Sequence, residues 1–226
     1  MKMKIVIIAL SLLLVGVLFV EHREKSAYQR YLSHHLSNDF SGMYQKLLNN
    51  QEIYERVLAK QTLTIEEAQI IRSTYYDYLK LLDHYGQLGR ELGSLKEETT
   101  ALTTENVSLM ESFFTRWMQD ATEHGTSEYE KLELLETVEK EHNIDETFAE
   151  NLKIINELNE EWISAFSTFL KVGEKNEEVD FKEFYDNNKN DGVSQDFWVE
   201  LLEELDVTTE SFMNEKGYHS MVLPIR

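Results

Sequence analysis

The chain has 226 residues and a net charge of −20, with 42 acidic against 22 basic side chains. It carries one proline, nine glycines and no cysteine. Disulfides, thiol catalysis, thiolate metal sites and lipid attachment through an N-terminal cysteine are thereby excluded. An acidic surface of this size without a basic stripe disfavours nucleic acid as a partner. The charge is uneven: sixteen acidic and eleven basic residues lie between Glu21 and Thr126, and twenty-six and nine between Ser127 and Arg226. The acidic second half also disfavours broad contact with anionic lipid headgroups, and solvated helix faces account for it without a partner.

The first element is apolar. Ile5 to Val20 is sixteen residues without a charge, preceded by Lys2 and Lys4. As a helix it spans about 24 Å, close to the lower limit for crossing a bilayer once the flanking lysines snorkel. The run also fits a signal-peptide core, so the cleavage site decides. Gly16 is the small residue near its end, with Leu14 two positions before; Ala27 has Lys25 at the equivalent place. Neither suits a signal peptidase. The expectation is an uncleaved signal-anchor over residues 1–25, in contact with lipid through residues 5–20, and an acidic helical domain over residues 26–226. Basic residues flank the run almost evenly, with Arg23, Lys25 and Arg30 after it. The N-terminal lysines resemble an export n-region, which places the N-terminus in the cytoplasm and the domain outside.

After the anchor, Tyr28, Tyr31, Leu32, His35 and Leu36 have helical spacing and predict one apolar face. LSNDFSG then predicts a break, followed by a helix with Phe40, Tyr44, Leu47, Tyr54, Val57 and Leu58 inward. Thr64 and Glu67 form a capping box, opening a helix that buries Ala68, Ile71, Tyr75, Tyr78, Leu79 and Leu82. Leu81, Leu88, Leu95, Leu102 and Leu109 recur every seventh residue with Asn106 in the companion seam, a coiled-coil pattern. A two-chain zipper and an intramolecular hairpin both satisfy it. Gly93 followed by a second box, Ser94 to Glu97, favours the hairpin.

Leu102, Leu109, Phe113 and Trp117 mark the next helix. Ser127 caps a further one carrying Tyr129, Leu132, Leu135 and Val138. Asn143 and Glu146 open another, with Phe148, Leu152, Ile155, Trp162, Phe166 and Phe169 inward, and Gly173 ends it. Phe181, Phe184 and Tyr185 predict a short helix. Phe197, Trp198, Leu201, Leu202 and Leu205 predict one capped by Ser194, with Phe212 and Met213 in a last turn closed by Gly217. The tail, YHSMVLPIR, is apolar. The fold class is all-α: a transmembrane helix followed by a bundle of about six to eight helices with coiled-coil character, and essentially no strand.

Few residues suggest chemistry. Asp186 to Phe197 resembles an EF-hand loop, with Asp186, Asn188 and Asn190 at the first three ligand positions. Asp191 stands where the glycine belongs and Phe197 where the bidentate glutamate belongs, so micromolar calcium binding is not expected. Glu139 and His142 match half of a di-iron motif that lacks its second copy, which leaves His142 at a helix end. His34 and His35 are adjacent and diverge by about 100° on a helix. Trp117, Trp162 and Trp198 lie on apolar stripes and read as core. No catalytic, cofactor-binding or metal residues are assigned. The expected role is non-enzymatic: a membrane-anchored extracytoplasmic domain that binds or scaffolds a protein partner or a second copy of itself. The alternative is a ligand-sensing or accessory domain with a weak divalent-cation site.

Overall fold

The computed structural model describes residues 2–123, 140–170, 181–190, 192 and 197–217, with side chains described except at 2–15, 17, 181–183 and 187. The expected helix from Ser127, the glycine stop at Gly173, the Ser194 cap and the YHSMVLPIR tail lie outside those residues. Six helices are present among the described residues: α1 (Lys2–Lys60), α2 (Ile65–Glu91), α3 (Ala101–Glu123), α4 (Glu146–Leu170), α5 (Phe181–Asn188) and α6 (Phe197–Lys216). The protein is mainly helical, as its composition demands. Two three-residue strands are added: β1 (Thr62–Thr64) and β2 (Glu141–Asn143) pair antiparallel, with Leu63 opposite His142.

The chain divides into two compact units, one of residues 1–39 and 180–196, the other of residues 40–179 and 197–226. In the first, α1 carries the apolar run. No helix among the described residues is long and apolar enough to cross a membrane. Most side chains of the run, 5–15 and 17, lie outside the description.

The stem face differs from expectation. Ser33, Leu36 and Ser37 are buried, while Tyr28, Tyr31 and His35 are exposed on the other side. Small hydroxyls permit close packing here: a Cβ on Gly192 would lie 3.7 Å from both Ser33 Cβ and Ser37 Oγ. The break at LSNDFSG is also absent, and α1 is continuous. Ser37 donates to the Ser33 carbonyl at 2.9 Å, so its hydroxyl is satisfied inside the helix. Leu36, Phe40 and Met43 are buried one turn apart. Burial of that stripe outweighs the weak local propensity of the segment.

In the second unit, α2 and α3 lie against one another, as do α4 and α6. Phe40, Tyr44, Leu47, Tyr54 and Val57 of α1 are buried. The Thr64 capping box forms: Thr64 Oγ1 accepts the Glu67 N–H, and the Thr64 N–H donates to Glu67 Oε2 at 3.1 Å. Arg56 pairs with the same carboxylate.

The hairpin break near Gly93 is present. Gly93 has φ +71°, its N–H reaches the Arg90 carbonyl, and the Ser94 N–H reaches the Gly89 carbonyl. That pair of bonds is a Schellman ending. The heptad leucines are therefore split between α2, the connection and α3. The second capping box does not start a helix; α3 begins only at Ala101, after Thr100 at φ +77°. Its buried face is Thr103, Asn106, Val107, Met110 and Phe114, not Leu102, Leu109, Phe113 and Trp117, which are half-buried. Asn143 belongs to β2. Asp145 caps α4 instead, accepting the Phe148 N–H at 2.7 Å. Phe212 and Met213 continue α6, which ends before Gly217 at φ +72°.

Candidate functional site

The interior of the second unit contains polar side chains at positions that continue apolar stripes. Asn50 falls between Leu47 and Tyr54, and Asn159 between Ile155 and Trp162; all are fully buried. Asn159 Nδ2 donates to the Leu47 carbonyl and to Gln51 Oε1, both at 3.1 Å. Gln51 Nε2 in turn donates to Glu160 at 2.7 Å. These bonds join α1 to α4.

Beside them, the Tyr54 and Tyr75 hydroxyls are 2.6 Å apart. Burial pushes both phenols above their ordinary range, and for Tyr54 the neighbouring Tyr75 adds to it. Tyr78 is raised first by burial and then by Tyr75. Its ring meets Trp162 edge-on, with centroids 5.2 Å apart. The Trp162 indole donates to Thr209 Oγ1 at 3.0 Å, and Thr209 contacts the Thr103 hydroxyl at 3.2 Å. These bonds fix the relative register of the helices, although Asn50 Oδ1, the Tyr78 hydroxyl and Asn159 Oδ1 are buried without a hydrogen-bond partner. The network orders a core: Asn50, Tyr54, Tyr75, Tyr78, Thr103, Asn159, Trp162 and Thr209 are buried, and Glu160 at its edge is half-buried.

The surface offers a shallow open groove of about 560 Å³ between α1 and α2. Gln45, Lys46 and Asn49 line one side, with Glu66, Gln69, Ile70, Ser73 and Thr74 on the other. Lys46 is held by Asp77 at 2.6 Å. The lining mixes amides and hydroxyls with Lys46, Glu66 and Ile70, and the surface facing the groove is more apolar than polar. It supplies no nucleophile–base pair within hydrogen-bond reach.

The residues singled out in the sequence are not brought together. Asp186 and Asn188 lie in the last turn of α5. Asn188 donates to the Phe184 carbonyl and Asp186 pairs with Lys189, which raises the lysine's pKa. Two ligand positions of the EF-hand register are thus helical and engaged; Asp191 and residues 193–196 lie outside the described residues. His142 is in β2, not at a helix end. Its ring stands 5.9 Å from Trp117, and burial, then Lys140, lowers its pKa. Glu139 is outside the described residues. His34 packs edge-on to Tyr185, and His35 to Tyr31. No group of three or more metal-binding side chains occurs among the described residues. The amides at stripe positions were the signal for the buried network: a polar residue at helical spacing within an apolar face.

No family model, no curated protein and no solved structure matches this chain.

Proposed function

We propose that the protein is a membrane-anchored helical domain, held outside the cytoplasm by residues 5–20, that binds or scaffolds a protein partner without catalysing a reaction. The observation that carries the anchor is the sixteen-residue uncharged run, continuous with α1. As a helix the run covers about 24 Å, short of the ~30 Å hydrocarbon core, so an anchor of this length requires local bilayer thinning and snorkelling of Lys2 and Lys4. The non-catalytic reading is supported by where the polar chemistry lies. Tyr54, Tyr75, Asn159 and Trp162 are consumed in ordering the core, and the groove is shallow and open.

Alkaline carbonate extraction followed by protease shaving of intact cells tests the anchor and its orientation. The full-length mass is expected in the membrane pellet, and the domain is expected to be cut without lysis. A protein that begins near Glu21 or Ala27 and leaves the membrane would overturn the anchor. Crosslinking in membranes, with mass-spectrometric mapping of the crosslinked sites, tests the partner; crosslinks onto the chain's own copies would identify a homo-oligomer.

A further inference from the structure

The face of α1 that the protein leaves uncovered carries two tyrosines. Tyr28 is 61% and Tyr31 60% exposed, and they stand one turn apart. At about 100° per residue they lie roughly opposite Ser33, Leu36 and Phe40, the buried side of the same helix. Just before them Leu18, Phe19 and Val20 are 54%, 66% and 55% exposed, and these three end the uncharged run. A water-facing helix does not ordinarily expose three consecutive large apolar residues and then two aromatic ones.

We infer that Tyr28 sits at the membrane–water interface, with Tyr31 one turn outside it on the water side and the lipid headgroup layer as the occupant of this face. The inference rests on the anchor proposed above and adds where the bilayer ends along α1. If the hydrocarbon boundary falls near Glu21, the first charged residue, the Tyr28 backbone lies about 10 Å beyond it. Helical side chains lean toward the N-terminus, here toward the membrane, by up to about one 5.4 Å turn. The Tyr28 ring then sits about 5 Å past the hydrocarbon, within a headgroup layer about 5–7 Å deep. Tyr31, packed against His35 with centroids 4.4 Å apart, stands about 10 Å past the hydrocarbon by the same measure, on the water side of that layer.

Tyrosine suits that layer because the ring partitions into the apolar boundary while the hydroxyl stays hydrated. Charge contributes little. Arg23, Lys25 and Arg30 are nearly balanced by Glu21 and Glu24, so Tyr28 holds its place on neutral phosphatidylcholine without anionic lipid.

The test uses the full chain reconstituted in phosphatidylcholine vesicles, with Val20→Trp, Tyr28→Trp and Tyr31→Trp made singly and the parent protein's emission subtracted. Lipids brominated near the acyl carbonyl are expected to quench most of the added emission of Tyr28→Trp and less of Tyr31→Trp. Val20→Trp is expected to be quenched best by lipids brominated deeper in the chain. If Val20→Trp is quenched and Tyr28→Trp responds only to aqueous acrylamide, the anchor stands and the interfacial position of Tyr28 is refuted. If neither responds to brominated lipid, the anchor fails as well. A blue shift of Tyr28→Trp that appears only at high protein-to-lipid ratio would assign the face to a second copy and overturn the inference.

Discussion

Leu95 closes directly over Gly89: a Cβ placed on the glycine would lie 2.4 Å from Leu95 Cδ1 and 2.7 Å from its Cγ. The contact lets the connection after α2 fold back along the helix it has just left. Gly89→Ala removes a helix-interior glycine, which by itself favours folding by up to about 1 kcal/mol. The collision with a buried leucine is expected to outweigh this, for a net loss of about 1–2 kcal/mol. Gly42→Ala is the control. A Cβ there meets nothing within 4 Å, so a small gain is expected. Urea unfolding followed by circular dichroism measures both, and equal gains would show that Leu95 moves away freely.

Thr64 and Glu67 cap α2 in a box that also engages Arg56. Thr64→Ala is expected to lower stability by about 1 kcal/mol. Thr64→Ser keeps the hydroxyl and should restore most of it. Midpoints in the same urea assay that are indistinguishable between Ala and the parent would show that β1 alone sets the start of α2.

Asp206 on α6 accepts the Thr103 N–H of α3 at 2.9 Å. Thr103 is in the first turn of α3, where backbone donors have no partner within the helix. Asp206→Ala is expected to cost about 1–2 kcal/mol, whereas Asp206→Asn, which keeps an acceptor oxygen, should cost less. Amide hydrogen exchange gives a localised readout: Thr103 protection should fall in Asp206→Ala well before that of α2.

The chain has eleven tyrosines, and burial raises the pKa of Tyr54, Tyr75 and Tyr78. A phenol whose folded pKa exceeds its unfolded value keeps its proton in the native state while the unfolded chain releases one. The stability it contributes is fully present below the ordinary pKa of about 10 and drains as pH rises above it. Phenolate absorbance at 295 nm should therefore show these three phenols resisting ionisation above about pH 10 while the helical signal persists. Tyr54, Tyr75 and Tyr78 should ionise only together with loss of the helical signal. All eleven titrating near pH 10 in a still-helical protein would contradict the packing around Tyr75.

The sequence alone determined the helical class, the start of α2, the break at Gly93, and the short helix at Phe184 and Tyr185. Each depends on a local signal: a hydroxyl three residues before a glutamate, a glycine free to take positive φ, or apolar spacing near 3.6. Such signals act between residues a turn apart and need no knowledge of the rest of the chain. The tertiary structure decided which of two adjacent stripes on α3 faces inward. Leu102, Leu109 and Phe113 differ from Thr103, Met110 and Phe114 by one residue, about 100° of rotation. The inner stripe carries Thr103 and Asn106, and its facing partners include Thr209 and Asp206, about a hundred residues away. The same holds for the continuity of α1 through LSNDFSG, where burial of Leu36, Phe40 and Met43 overrides a segment whose own propensity argues for a turn. Local chemistry specifies where helices can begin and end. Long-range burial selects among the faces and continuations that remain, because that free energy exists only once a partner surface is present.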